Sequence, residues 1–132
     1  MSTLKFSPYT LATLFFFVST SIYAQEINQL PITTVEFESK TIDYGVVYKG
    51  SEGKKSFTIK NTGSQPLKIS QIFSSSHIKV LEYPRDTVAP GEIAVVEILY
   101  DTNKSGPIVK TITLHMNVKE KIVPIKITGR VD

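Results

Sequence analysis

The sequence predicts an all-β protein, an antiparallel β-sandwich of seven to eight short strands, and three observations carry that reading. After residue 24 no stretch of useful length repeats its apolar residues at helical spacing. Runs rich in Val, Ile, Thr, Phe and Tyr recur instead at roughly 8–12-residue intervals, separated by Gly, Pro, Asn and Ser. Several of these runs alternate apolar with polar residues, as a strand with one buried face does. A small closed barrel is the alternative that the same pattern allows.

Residues 32–39 form the first expected strand, with Val35 and Phe37 on one face. Residues 43–48 form the second, broken at Gly45 and closed by the turn Lys49-Gly50-Ser51-Glu52-Gly53. Residues 54–61 alternate, Phe57 and Ile59 inward, Thr58 and Lys60 outward. Asn61-Thr62-Gly63-Ser64-Gln65-Pro66 reads as a hairpin turn with Asn61 in the left-handed region. Residues 67–73 return to alternation, with Leu67, Ile69 and Phe73 on the core side. A break at Ser74-Ser75-Ser76 precedes a short strand at 77–81. After the turn Ala89-Pro90-Gly91, residues 92–101 are apolar on both faces, which predicts a central or covered strand. Lys104-Ser105-Gly106-Pro107 leads into a strand at 109–117 with Ile112, Leu114 and Met116 inward. In the last strand, 122–130, Val123, Ile125 and Ile127 face in while Lys126, Thr128 and Arg130 face out. Pro124 has no N–H to give a ladder, so this strand is expected at an edge or kinked at its start.

The N-terminus is of another kind. Lys5 is its one charge, followed by an apolar run from Tyr9 to Val18 and the small residues leading to Ala24. That is the pattern of a secretory signal at 1–24, cleaved after Ala24, ahead of a domain at 25–132. The apolar run falls short of the roughly 18–20 residues needed to span a bilayer, so no membrane span is expected once the signal is gone. Zero cysteines exclude a disulfide, a thiol nucleophile, a thiolate-held zinc or cluster, and lipid attached to an N-terminal Cys. Export without bridges suits a bacterial envelope, either periplasmic or extracellular.

An ordered set of turn and strand signatures runs through the chain: Ile42-Asp43-Tyr44-Gly45-Val46, Gly50, Phe57-Thr58-Ile59-Lys60-Asn61-Thr62-Gly63, Pro66-Leu67-Lys68-Ile69, Pro90-Gly91-Glu92, Gly106, Lys110-Thr111-Ile112 and Ile125-Lys126-Ile127-Thr128-Gly129. In this the chain resembles the bacterial domain-of-unknown-function family fifteen-seventy-three. That group is immunoglobulin-like and similar to Hydin-type and major-sperm-protein-type domains. The resemblance implies an immunoglobulin-like sandwich over nearly all of residues 25–132 and says almost nothing about activity. Family members often carry a Cys-Gly-Cys-type segment after the fourth strand. Here that place reads Ser74-Ser75-Ser76-His77, so no thiol or metal role carries over.

No catalytic, cofactor or metal site is expected. There is no Gly-Lys-Ser/Thr phosphate loop, and neither His77 nor His115 has a second ligand at metal spacing. A Ser76–His77 hydrolase would need the two side chains to meet in space and a third group to orient the base. Glu36, Glu38 and Glu97 read as solvated strand faces, and Asn103-Lys104-Ser105, though an acceptor pattern for N-glycosylation, reads as a turn. Residues 25–101 hold 8 basic against 10 acidic side chains, and residues 102–132 hold 6 against 2. The C-terminal excess would form a basic strip containing Lys119, Lys121, Lys126 and Arg130, too modest for nucleic acid.

These readings converge on an exported, non-enzymatic module that binds an envelope protein through edge-strand pairing, with a carbohydrate-binding module as the alternative. Lys126, Arg130, Tyr48 and Tyr83 are the candidate partner-binding residues, the tyrosines as rings that would stack on a sugar if exposed. The first and last strands are the candidate edges, and Ile127→Pro is expected to abolish pairing without unfolding the domain.

Overall fold

The first two expected strands fall in different sheets. The computed structural model describes residues 30–132, so the leader expected at 1–24 lies outside the described residues. β1 (Val35–Phe37) pairs antiparallel with β3 (Lys54–Asn61). After the polar run Glu38-Ser39-Lys40, β2 (Thr41–Val47) pairs with β8 (Ile122–Val131) of the other sheet. The remaining strands are β4 (Ile69–Ser74), β5 (Ile78–Glu82), β6 (Ile93–Tyr100) and β7 (Gly106–Met116). One sheet has the order β1-β3-β6-β5 and the other β2-β8-β7-β4, which is the expected sandwich of eight strands and not a barrel.

Alternation does what it predicted along the middle of each sheet. Ile59, Ala94, Val96 and Ile98 from one sheet and Ile112, Leu114, Ile125 and Ile127 from the other are wholly buried between the layers. Each large aliphatic side chain so removed from water contributes roughly 1.5–3 kcal/mol. β6 is central, with β3 and β5 on its two sides, yet Ile93 and Val95 on its outer face remain 57% and 47% exposed.

Asn61-Thr62-Gly63-Ser64-Gln65-Pro66 is not a hairpin turn. β3 and β4 belong to different sheets, so this segment carries the chain across the sandwich. Nor is Asn61 left-handed; among the described residues the non-glycine positions with positive φ are His77 and Lys121. The Asn61 amide is fully buried instead and fully bonded. Its Oδ1 accepts from Thr33 Oγ1 at 2.8 Å and from Gly63 N at 3.2 Å, and its Nδ2 donates to Gln65 O at 2.8 Å and Val88 O at 2.9 Å. Gly63 serves this cluster by close approach, since a Cβ there would overlap Thr33 Oγ1 and lie 2.7 Å from Thr34 N.

Three further expectations change. The register of β4 slips between Ile69 and Gln71, so Ile72 packs on the core while Phe73 turns out, 49% exposed, edge-on to His115 at 5.0 Å. One ladder, β2 with β8, is parallel. It is bulged at Gly45 (φ +62), and Gly129 leaves room for the approach, because a Cβ there would stand 2.8 Å from Gly45 O.

Finally, β8 is not an edge. From Lys126 onward it has β2 on one side and β7 on the other. Ile127 is wholly buried and pairs with Ile42 and Lys110, so Ile127→Pro would break a central ladder and unfold the domain. Pro124 is accommodated because β2 has not yet begun opposite it.

Asn61→Ala should therefore lower the free energy of unfolding by roughly 2–4 kcal/mol, since it strands several buried partners at once. Urea denaturation measures this, and a loss below about 1 kcal/mol would deny the cluster its role.

Candidate functional site

Sheet edges expose unpaired backbone groups, and three of the four edge strands of this sandwich share one device. β2, β4 and β5 all carry a register break, between Asp43 and Val46, Ile69 and Gln71, and Val80 and Glu82. Such breaks twist an edge away from would-be partners. β1 is regular but pairs only Val35, Glu36 and Phe37, opposite Asn61, Lys60 and Ile59. Below that point, residues 54–58 of β3 have β6 on one side and no strand on the other.

The direction of the unpaired groups follows from the bonds that are made. Asn61 N donates toward β6, to Glu92 O, whereas Thr62 N donates to Thr34 O ahead of β1. Backbone groups alternate sides along a strand, so Thr58, Ser56 and Lys54 each present an N–H and a C=O to the open side. The matching gap on the other sheet is at residues 122–125 of β8. There Lys126 N donates to Lys40 O, and Pro124 shares that orientation but has no N–H to offer. The β8 gap is blunted by proline; the β3 gap has its full set of donors.

Behind the open edge of β3 lies a small aromatic–cationic cluster. Lys55, on the core-side parity of β3 but exposed near its start, sends Nζ 5.4 Å above the Tyr44 ring and donates to Asp43 O at 3.2 Å. Tyr44 is buried, packs against Tyr100 at 5.8 Å between centroids, and donates its hydroxyl to Gly53 O at 2.7 Å. Burial pushes its phenol up to about 12.

The residues expected to bind a partner are not all brought together. Lys126 and Arg130 are exposed on the outer face of β8, about 13 Å apart along the strand, and Arg130 Nε pairs with Asp132 Oδ1 at 2.9 Å. Tyr48 follows β2, beside the end of β8, and is 76% exposed. Tyr83 follows β5 in the other sheet, where the Arg85 guanidinium covers its ring at 4.1 Å and donates to its hydroxyl at 2.8 Å.

Ser76 and His77 do not form a hydrolytic pair among the described residues. Ser76 Oγ takes a hydrogen bond from Lys110 Nζ at 3.1 Å, and His77, at φ +70, borders a shallow groove of about 500 Å³ with Gly53, Tyr100 and Asp101. No three His, Asp or Glu side chains converge on a metal position among the described residues, and no helix there is long and apolar enough to cross a membrane.

The half-edge of β3 escaped the sequence reading. Its one signal is the polar run Glu38-Ser39-Lys40, which separates β1 from β2 and marks where the chain leaves one sheet for the other.

The family model described as protein of unknown function (DUF1573) matches residues 35–131. The chain belongs to that family. No curated protein matches the sequence. Among solved structures it is similar to a protein of unknown function from Porphyromonas gingivalis W83, at 19% identity and TM-score 0.67, covering 80% of this chain and 50% of that one. It is also similar to the ASH/PapD-like domain 7 of human CEP192, at 13% identity and TM-score 0.62, covering 82% and 92%. The VesB protease of Vibrio cholerae matches at 18% identity and TM-score 0.58, covering 85% of this chain but 34% of the protease. At these identities the likeness is one of fold, and it places the chain among immunoglobulin-like, PapD-like sandwiches. The chain spans half the length of the Porphyromonas protein.

The Tyr44 phenol makes alkaline stability testable. Its folded pKa is raised above the ordinary value of 10.0, so its contribution is complete below pH 10 and is lost as pH rises toward 12. The loss is about 2–3 kcal/mol at most. Tyr44→Phe should cost about 1 kcal/mol at neutral pH through the lost hydroxyl bond. It should also flatten the fall between pH 10 and 12, and urea midpoints for the two proteins that stay parallel across that range would refute the assignment.

Proposed function

We propose that this chain is an exported, non-enzymatic module that binds a partner protein of the cell envelope by adding the partner's strand to the open edge of β3. One observation carries the reading: residues 54–58 form a regular half-edge with donors and acceptors unpaired, on a molecule whose other edges are bulged, shortened or interrupted by proline. Lys54, Lys55 and Ser56 are exposed there, so an incoming main chain meets no covering segment among the described residues. Export is supported by the charged, apolar and small-residue sequence of residues 1–24.

Magnitudes limit what the edge alone can do. Each added backbone bond contributes a net ~0.5–1.5 kcal/mol, against an association cost of about 4–15 kcal/mol. Three residues of ladder therefore give weak binding unless side chains add to it. The second reading, carbohydrate binding, is favoured by the exposure of Tyr48 alone, since the Tyr83 face is taken by Arg85. A glycan array with wild type and Tyr48→Ala separates the two, because a sugar signal lost in Tyr48→Ala would support the second.

Ser56→Pro tests the first reading. The Ser56 N–H points away from β6, so proline removes a donor from the open edge without breaking the β3–β6 ladder. Capture of an envelope partner from extracts should fall at least about tenfold while the melting temperature stays within a few degrees. Undiminished capture by a folded Ser56→Pro protein would sink strand addition at this edge.

A further inference from the structure

We infer that the segment accepted at the β3 edge is acidic at one end, with a single apolar residue two positions ahead of its first acid. This rests on strand addition at β3 and adds which strand is chosen. A strand that continues the line of β1 beyond Glu38 runs antiparallel to β3, and its residues fall in turn opposite Phe57, Ser56, Lys55 and Lys54.

The faces follow from parity. The residue opposite Phe57 shares the core side of the sheet with it, at a cross-strand separation of about 4.5–5.5 Å, and Phe57 is only 8% exposed. An apolar side chain fits there. The residue opposite Lys55, two positions on, points to the same side. It meets an ammonium whose present partners are the Asp43 carbonyl and the Tyr44 ring, neither of them a carboxylate. The residue opposite Lys54 lies on the outer face beside a second exposed ammonium. Among the described residues neither lysine is in an ion pair.

The position between them is of a different kind. Ser56 pairs on its other side with Glu97, so an acid opposite Ser56 would stand on the same face as that carboxylate. An uncharged polar residue fits instead, while the place opposite Thr58 is held by Glu38 of this chain. Along the partner, the order is apolar, polar, acidic, acidic. Two adjacent ammonium groups, one on each face of the edge, favour a strand that brings acids opposite them and disfavour its charge reverse.

The test uses the full chain and two fluorescein-labelled peptides of equal length, one centred on Val-Thr-Glu-Glu and one on Val-Thr-Lys-Lys, titrated by anisotropy at low salt. The acidic peptide should bind at least about tenfold more tightly, and the double variant Lys54→Glu with Lys55→Glu should reverse the order. Ser56→Pro should weaken both peptides. Should the charge-reversed protein fail to fold, salt decides on the wild type: raising it from about 0.05 to 0.5 M should erase the difference between the peptides. Equal binding of the two peptides at low salt, with loss in Ser56→Pro, would overturn the charge pattern and leave strand addition standing. Binding indifferent to Ser56→Pro, or no binding of either peptide at millimolar concentration, would overturn both.

Discussion

The buried amide of Asn61 determines where the rest of this sandwich begins. One side chain holds Thr33 ahead of β1, the crossing segment at Gln65 and the loop at Val88. A buried amide left unbonded costs a few kcal/mol, so these three segments stay together or the cluster fails as a whole. With Thr33 tied there, β1 begins opposite the last residue of β3, and the departure at Glu38-Ser39-Lys40 limits its pairing to Asn61, Lys60 and Ile59. The open half of β3 thus follows from that register and from the point where the chain leaves β1 for the second sheet. A second amide, Asn117 at the end of β7, braces the same end of the molecule, accepting from Lys68 N and donating to the carbonyls of Pro31 and Pro66.

How the edges are guarded follows from what each can tolerate. β2 must cross close to β8, and the glycines at 45 and 129 provide both the approach and the bulge. The start of β8 can accept proline because nothing pairs with its free side. β3 carries neither device, and a bulge in it would displace Phe57 and Ile59, which are buried on its inner face. Charge is what remains to it, in Lys54 and Lys55.

Much of this was legible in the sequence, for a definite reason. Period-two alternation reports a single buried face, so the strand at 54–61 matches β3 to the residue, while the one expected at 109–117 begins three residues earlier, at Gly106, inside what reads as a turn. Local patterns do not report which sheet a strand joins. Asn61-Thr62-Gly63 has the chemistry of a hairpin, yet it bridges two layers, because strand order depends on contacts far apart in the chain. β8 looked like an edge on the strength of Pro124, when only its first residues are unpaired. Phe73 kept the right spacing until one slipped residue in β4 turned it outward. Of the candidate binding residues, Tyr83 could not be known to lie under Arg85, since covering a ring two positions away is a matter of side-chain direction and not of sequence.

The parallel pairing of β2 with β8 also sets how the domain bears load. The two strands run the same way, one near the start of the described chain and the other at its end. Tension applied between the two termini therefore acts along both strands in opposite senses, and the ladder between them is sheared with its bonds sharing the force. An antiparallel hairpin pulled at its ends would open one rung at a time. β1, with three paired residues, would part early, while the buried row of Ile42 and Tyr44 against β8 would hold. In this topology the seam that closes the second sheet doubles as a mechanical clasp.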